Sequence, residues 1–181
     1  MDRLIAIQSK KDIPSKYRNT PIGLLFEYHN FRQPGKVYTS PQLLIGMCMD
    51  NRKHLHIPDN FAFILRTGGA NLRYSEFKVS YAISVGGVRH IVLIGHNQCG
   101  MVDLVSRREQ FIQGLVEGAG WNRQAAEEHF ADFAPVFEIG NEINFVLSEA
   151  KRLKIRYPKI EIVPLMYRVE DTLLYMIREA Q

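Results

Sequence analysis

The chain contains only two cysteines, and each lies close to another side chain that can bind a metal ion. Asp50 follows Cys48 by two residues, and His96 precedes Cys99 by three. Zinc takes thiolate, imidazole and carboxylate ligands in a tetrahedron, and a catalytic site leaves one position for water or substrate. These residue types and spacings predict a zinc site with Cys48, His96 and Cys99 as ligands.

The fourth zinc position has two candidates, the carboxylate of Asp50 and a water molecule. Arg52 bears on the choice, because a guanidinium can hold a carboxylate with two parallel hydrogen bonds. Such a pair would draw Asp50 off the metal and keep it ionised, able to accept a hydrogen bond from a metal-bound hydroxide. The sequence leaves two states open: Asp50 as a fourth ligand in a closed site, or Asp50 and Arg52 as catalytic residues beside an open one.

The order Cys-x-Asp-x-Arg, an apolar strand, a glycine pair, a helix and Gly-His-x-x-Cys-Gly resembles the β-class carbonic anhydrases over most of the chain. In that family two cysteines and a histidine bind Zn2+, and an aspartate and an arginine form a dyad beside the metal. The resemblance implies that Cys48, His96 and Cys99 are the ligands and that Asp50 and Arg52 are the dyad. It also implies reversible hydration of carbon dioxide to bicarbonate by zinc-bound hydroxide.

Some features differ from the usual family pattern and leave alternatives. Asn51 stands where many members have Ser, and Thr67 stands where Asn is usual. The motifs Cys-Met-Asp at residues 48–50 and Cys-Gly-Met at residues 99–101 resemble those of the short prokaryotic branch of the family. Some relatives of that branch hydrolyse carbonyl sulfide or carbon disulfide. The alternatives are such a hydrolase, a non-catalytic zinc-binding relative with Asp50 on the metal, and a thiol redox role for Cys48 and Cys99.

The composition is that of an ordinary soluble globular protein, with 46% hydrophobic and 23% charged residues in 181. The net charge of +4 comes without a concentrated basic tract, so we expect no nucleic-acid partner. No segment resembles a secretory signal or a membrane span. We therefore expect a cytoplasmic protein, in which metal binding is favoured over a disulfide because the cytosol is reducing.

Residues 1–38 mix charges with three prolines and are expected to be an irregular N-terminal arm. The family resemblance implies that such an arm packs on a partner subunit, in a homodimer or higher homo-oligomer. Residues 39–181 are expected to form a single α/β zinc-binding catalytic domain, because no linker or repeat divides them.

Three apolar runs, at residues 43–49, 61–65 and 91–94, predict strands, and Ser75 is expected to cap a helix between the second and the third. The stripe of Phe77, Tyr81 and Val85 marks one face of that helix. Strand, helix and strand in this order indicate a mainly parallel sheet flanked by helices. Cys48 ends the first strand and His96 follows the third, so both ligands are expected at the carboxyl edge of the sheet.

The second half of the chain is predicted to contain a short helix at residues 121–130, a longer helix at 139–153 and a strand at 160–166. Pro164 favours an edge or irregular position for that strand. Residues 171–180 are predicted to form a terminal amphipathic helix.

Gly68 and Gly69 follow the second strand and are candidates for substrate binding, because glycine lets backbone amides approach a small molecule. His54 and His56 follow the dyad and titrate near neutrality, which would suit a proton shuttle. The simpler interpretation, which we prefer, is that both are ordinary loop residues.

Overall fold

The computed structural model describes residues 3–178, which form one six-stranded sheet with helices on both faces. The strands are β1 (Leu4–Ala6), β2 (Leu43–Cys48), β3 (Ala62–Thr67), β4 (His90–His96), β5 (Glu161–Tyr167) and β6 (Leu174–Ile177). The helices are α1 (Pro21–His29), α2 (Glu76–Ser84), α3 (Arg108–Ala119), α4 (Arg123–Phe137) and α5 (Glu142–Arg156). No helix within residues 3–178 is long and apolar enough to cross a bilayer.

The centre of the sheet consists of four parallel strands in the order β3-β2-β4-β5. β6 and β1 continue the sheet beyond β5, and both pair antiparallel. The predicted α/β fold with a mainly parallel sheet is thus confirmed, and the two antiparallel strands make the sheet mixed. In the register, Met47 of β2 lies beside Ile94 of β4, so these two neighbours end at the same edge.

Alternate residues of the central strands enter two hydrophobic cores, one on each face of the sheet. Leu43, Ile45 and Met47 of β2 join the core that contains α1, whereas Leu44 joins the core beneath α2 and α5. Every residue of β2 is buried. This burial fixes the position of Cys48, its last residue.

The strand predictions need two corrections of position. β3 is an edge strand with alternating partial exposure, although a continuous apolar run is typical of a strand covered on both faces. Pro164 lies in β5, between β4 and β6, so the expected edge or irregular position is wrong. The sheet accommodates the proline because pairing between β5 and β6 begins only at Leu165.

The helix predicted after Ser75 is confirmed as α2, but its apolar stripe faces outward. Phe77, Tyr81 and Val85 are 82%, 51% and 67% exposed, whereas Val79 is fully buried. Phe77 and Tyr81 border a groove against the edge strand β3 instead of entering the core. The Ser75 side chain makes no capping hydrogen bond, so that part of the prediction is wrong.

The predicted C-terminal helix is wrong, because residues 174–177 form β6. Leu174 enters the core around α1, and its neighbour Tyr175 enters the core on the opposite face of the sheet. An alternation of period two satisfies both cores, whereas a helix would bury only one stripe. Residues 179 and 180 of the predicted helix lie outside the described part of the chain.

The N-terminal segment is less irregular than its composition suggested. It contains β1, which pairs with β6, and α1, whose Ile22, Leu25 and Phe26 are fully buried in this chain's own core. The Asn30 amide donates to the carbonyls of Ile7 and Leu174, which fastens the end of α1 to the sheet. Packing of this segment on a partner subunit stays a prediction.

The helix predicted at residues 121–130 is confirmed as part of α4, and α3, which the sequence analysis did not predict, precedes it. They pack through aromatic side chains, with the rings of Phe111 and Phe130 5.3 Å apart. The longer helix predicted after them is confirmed as α5, whose Asn141 cap accepts a hydrogen bond from the Asn144 amide. Ile139, included in that prediction, lies before the helix.

Candidate metal centre

The carboxyl ends of β2 and β4 bring the predicted ligands together. Cys48 is the last residue of β2, and His96 is the last residue of β4 rather than the first beyond it. Cys99 lies in the loop three residues later. Because β2 and β4 are adjacent and parallel, their ends meet at one edge of the sheet, where sites of open α/β sheets gather.

The side chains of Cys48, His96 and Cys99 form a buried group whose ligand atoms all lie within 4.8 Å of one another. The two sulfur atoms are 3.9 Å apart and both cysteines are free. Two sulfurs bound to one tetrahedral zinc ion at about 2.3 Å would be roughly 3.8 Å apart. The spacing therefore fits a shared metal ion and is too long for a disulfide.

The hydrogen bonding of His96 leaves one ring nitrogen for a metal. Its Nδ1 lies 2.8 Å from the carbonyl oxygen of Asn97, and an N-H there donates to that oxygen. This assignment makes Nε2 a bare acceptor, and the buried Nε2 has no hydrogen-bond partner in the part of the chain that the structure describes. A backbone carbonyl that fixes the tautomer of a ligating histidine is the usual arrangement in metal sites.

The two thiols share a proton in a way that suits metal binding. A hydrogen bond from Cys99 lowers the pKa of Cys48, and the same bond raises the pKa of Cys99. The Gly69 amide also hydrogen-bonds the Cys48 sulfur and lowers its pKa. Since a metal binds thiolates, its arrival would displace the remaining proton.

Asp50 and Arg52 form the pair that the sequence suggested. Arg52 Nη2 lies 2.6 Å from Asp50 Oδ2, and Nε lies 3.1 Å from Oδ1. These hydrogen bonds hold the pKa of Asp50 well below its usual range. Arg52 Nη2 also donates to the Gln98 carbonyl at 2.9 Å, which ties the loop after β2 to the loop after β4.

The Asp50 carboxylate stands beside the three-residue group. Its Oδ2 lies 4.0 Å from His96 Nε2, and Asp50 is not a member of the group whose ligand atoms all lie within 4.8 Å of one another. The bidentate contact with Arg52 occupies both carboxylate oxygens. Both states that the sequence left open, Asp50 as a fourth ligand and Asp50 held by Arg52 beside an open metal site, stay predictions.

Lys53 is a buried cation at the site that sequence reasoning missed. Its side chain has no exposed surface, and its ammonium lies 3.7 Å from Asp50 Oδ1. Burial lowers the pKa of Lys53, and the negative charge of Cys48 opposes that shift. Lysine is almost never fully buried unless it is paired. Its position directly after Arg52 was the only signal in the sequence, and it does not reveal burial.

Three buried side-chain atoms within residues 3–178 have no hydrogen-bond partner in the protein, and all three lie near this edge of the sheet. They are Lys53 Nζ, Thr67 Oγ1 and His96 Nε2. Thr67 is the last residue of β3 and lies beside Cys48 in the register. Since buried polar groups are normally hydrogen-bonded, these three atoms are available to bind a polar ligand or a metal ion.

Gly68 and Gly69 form a 3₁₀ turn with Ala70 directly after β3. A Cβ on Gly68 would approach Met101 Sδ to 3.0 Å, and Gly69 has a φ of +62°. Glycine is therefore favoured by close approach at the first position and by the left-handed backbone conformation at the second. Their predicted contact with substrate stays a prediction.

An apolar cavity of about 370 Å³ adjoins the centre on the side of α3 and α4. Met49, Gly68 and Met101 line it next to the metal group, and aromatic side chains of the two helices line the remainder. This cavity could not be predicted from the sequence, because the α3 and α4 side chains become a lining only after the helices pack.

The fold and the convergent cysteines and histidine define an α/β protein with a candidate metal centre. A protein-family profile described as "Carbonic anhydrase" matches residues 45–173. The chain therefore belongs to the β-class carbonic anhydrase family. No curated protein sequence matches the chain significantly.

Solved structures similar to this chain share its fold. A carbonic anhydrase from Glaciozyma antarctica is 25% identical, with a TM-score of 0.59 over 77% of this chain and 85% of the other. β-Carbonic anhydrase isoform I from Trichomonas vaginalis is 17% identical, with a TM-score of 0.65 over 83% and 91%. The apo form of a carbon disulfide hydrolase is 18% identical, with a TM-score of 0.58 over 78% and 80%.

Proposed function

We propose that this protein is a zinc-dependent carbonic anhydrase that reversibly hydrates carbon dioxide to bicarbonate. The observation that supports this most is the buried group of Cys48, His96 and Cys99. In this group His96 Nε2 has no hydrogen-bond partner within residues 3–178. A zinc ion held by these residues would supply a Lewis acid that lowers the pKa of a water molecule to about 7. The two thiolates would cancel the formal charge of the ion and weaken it as an acid.

The residues around the ion then have separate roles. Asp50, kept ionised by Arg52, would accept a hydrogen bond from the reacting water and orient it toward carbon dioxide. Arg52 would hold Asp50 in place and link it to the Gln98 loop. Gly68 and Gly69 are proposed to border the substrate. In the alternative state Asp50 would leave Arg52 and close the site as a fourth ligand.

Stopped-flow hydration of carbon dioxide by zinc-quantified protein, from neutral to alkaline pH, tests this proposal. We expect turnover that rises with pH, and a fall of about 100-fold or more in Asp50→Ala at unchanged zinc content. Asp59→Ala, in an exposed loop position, is the matched control and should behave as the wild type. Loss of zinc from Asp50→Ala would instead indicate a structural ligand.

One zinc ion per chain without turnover at any pH would refute the carbonic anhydrase proposal. It would leave the non-catalytic zinc-binding relative as the interpretation. Thiol-disulfide exchange by the zinc-free protein would point to the thiol redox alternative for Cys48 and Cys99.

A second candidate function is hydrolysis of carbonyl sulfide or carbon disulfide at the same site. The apolar cavity beside the centre favours it, because the carbon-sulfur bonds of carbon disulfide are less polar than the carbon-oxygen bonds of carbon dioxide. Release of hydrogen sulfide by the zinc-loaded protein, compared with its turnover of carbon dioxide, separates the two candidates. Absence of hydrogen sulfide release would exclude the second.

We also propose that the protein assembles as a homodimer or higher homo-oligomer in the cytoplasm. The outward stripe of Phe77, Tyr81 and Val85, next to the edge strand β3, supports association because apolar surface of this kind favours burial against a partner. Light scattering after size exclusion should give at least twice the mass of one chain. A monomer at micromolar concentration would contradict the assembly.

A further inference from the structure

The apolar cavity beside the metal group is larger than carbon dioxide needs. Its volume is about 370 Å³, whereas a cavity of about 150 Å³ suffices to bind benzene. Phe111, Phe130, Phe133 and Phe137 form much of the lining, and no Asp, Glu, Lys or Arg side chain contributes to it. Such a lining favours a neutral ligand with a substantial apolar group.

Met101 connects the cavity to the buried cluster that contains the two sulfur atoms. Met101 lines the cavity and also packs against the buried cluster of Cys48, Cys99 and Ile139. Gly68 also lines the cavity, and a Cβ at this position would approach the Met101 sulfur to 3.0 Å. Methionine is unbranched and adapts its shape, so a ligand in the cavity can extend past Met101 toward the metal group.

We propose that this cavity binds the apolar substituent of an organic isothiocyanate, R-N=C=S, which the protein hydrolyses. The proposal rests on the proposed function, because an isothiocyanate presents the same linear, doubly bonded carbon as carbon dioxide. In the overall reaction R-N=C=S and water give R-NH2 and carbonyl sulfide. A bond forms between the water oxygen and the central carbon, the bond from that carbon to nitrogen breaks, and nitrogen takes both protons. Nothing is oxidised or reduced.

Binding can be measured without turnover by using benzyl azide, an unreactive molecule of similar linear shape. Trp121 is the only tryptophan, and its ring lies 5.2 Å from that of His129, which lines the cavity. Titration of the zinc-loaded protein with benzyl azide should change the Trp121 fluorescence saturably. The Ala134→Leu variant fills part of the cavity wall and should weaken this binding.

Turnover is measured with benzyl isothiocyanate, as benzylamine released in excess over protein. Ala134→Leu should lower the ratio of kcat/KM for the isothiocyanate to kcat/KM for carbon dioxide by about tenfold or more. Ala131→Leu makes the same change on an exposed position of α4 and should leave the ratio and the azide binding unchanged. Mass spectrometry of the protein separates turnover from covalent labelling of its thiols and amines.

The outcomes distinguish this proposal from the proposed function. Carbon dioxide hydration without benzylamine release overturns the isothiocyanate proposal alone, whereas benzylamine release without carbon dioxide hydration supports it and refutes the carbonic anhydrase proposal. Covalent labelling without multiple turnovers, or equal effects of Ala134→Leu and Ala131→Leu, overturns it. Absence of saturable azide binding overturns it as well, and would leave the cavity as a site for side chains of a second copy of the chain.

Discussion

His29 is a fully buried histidine that the fold holds in its neutral form. One ring nitrogen, Nε2, donates to the Thr172 carbonyl at 2.9 Å, and Nδ1 accepts from the His56 amide at 3.1 Å. Burial, assisted by the positive charge of Arg32, lowers the pKa of His29 from 6.5 to about 4. A proton on Nδ1 would also remove the acceptor that the His56 amide uses.

This pKa shift predicts how stability depends on pH. The pKa of His29 is lower in the folded state than in the unfolded state, so its contribution is present above pH 6.5 and is lost as the pH falls toward 4. A shift of about 2.5 pKa units corresponds to roughly 3 kcal/mol of unfolding free energy. Within the window the slope should approach about 1.4 kcal/mol per pH unit.

Urea unfolding of metal-free protein between pH 7 and pH 4.5 tests this prediction, because without metal the pH dependence of metal binding does not contribute to the measured stability. His29→Gln can keep the donation to Thr172 but cannot ionise. It should be less stable than the wild type at pH 7 and should lose less stability on acidification. His54→Gln, at an exposed position, is the control and should follow the wild type. Parallel losses in wild type and His29→Gln through the window would refute the reasoning.

Two further predictions concern stability. Glu149 is 1% exposed and pairs with Arg152 at 2.8 Å. Glu149→Gln should therefore lower the free energy of unfolding in urea by about 3 kcal/mol, whereas the exposed control Glu128→Gln should lower it by less than about 0.5 kcal/mol. Equal losses in the two variants would contradict this prediction. Zinc at about 100 times its dissociation constant should raise the free energy of unfolding by about 2.7 kcal/mol. A chelator that removes the zinc should abolish this gain and lower Tm by roughly 5–10 °C. Cys48→Ser should lose this chelator response, and an unchanged response would exclude Cys48 as a ligand.

The convergence of Cys48, His96 and Cys99 could be predicted from the sequence because few residue types carry donor atoms that zinc accepts. Two of them end neighbouring parallel strands, and the carboxyl ends of such strands meet at one edge of the sheet. The Arg52 contact with Asp50 followed from proximity in sequence and matching geometry. These inferences depend on local chemistry and on the order of strands, which a single chain reveals.

Other features depend on tertiary burial, which local patterns do not report. Phe77, Tyr81 and Val85 have helical spacing but face outward, because α2 covers the sheet with another face. Lysine is seldom buried, so the residue type of Lys53 predicted an exposed position. The β6 strand was mistaken for a helix because a short apolar run fits either period until its two cores are known.

Three buried atoms at the centre that lack a hydrogen bond connect folding to function. Within residues 3–178, Lys53 Nζ, Thr67 Oγ1 and His96 Nε2 have no hydrogen-bond partner, and a buried polar group in that state costs about 1–3 kcal/mol. The hydrophobic cores can offset that cost, because they fix the ends of β2, β3 and β4 without hydrogen bonds from these three side chains. A metal at His96 would satisfy one of these atoms directly, and polar species at Lys53 and Thr67 would satisfy the others. Occupancy of the site should therefore raise stability, so zinc affinity and chelator sensitivity of unfolding should change together in ligand variants.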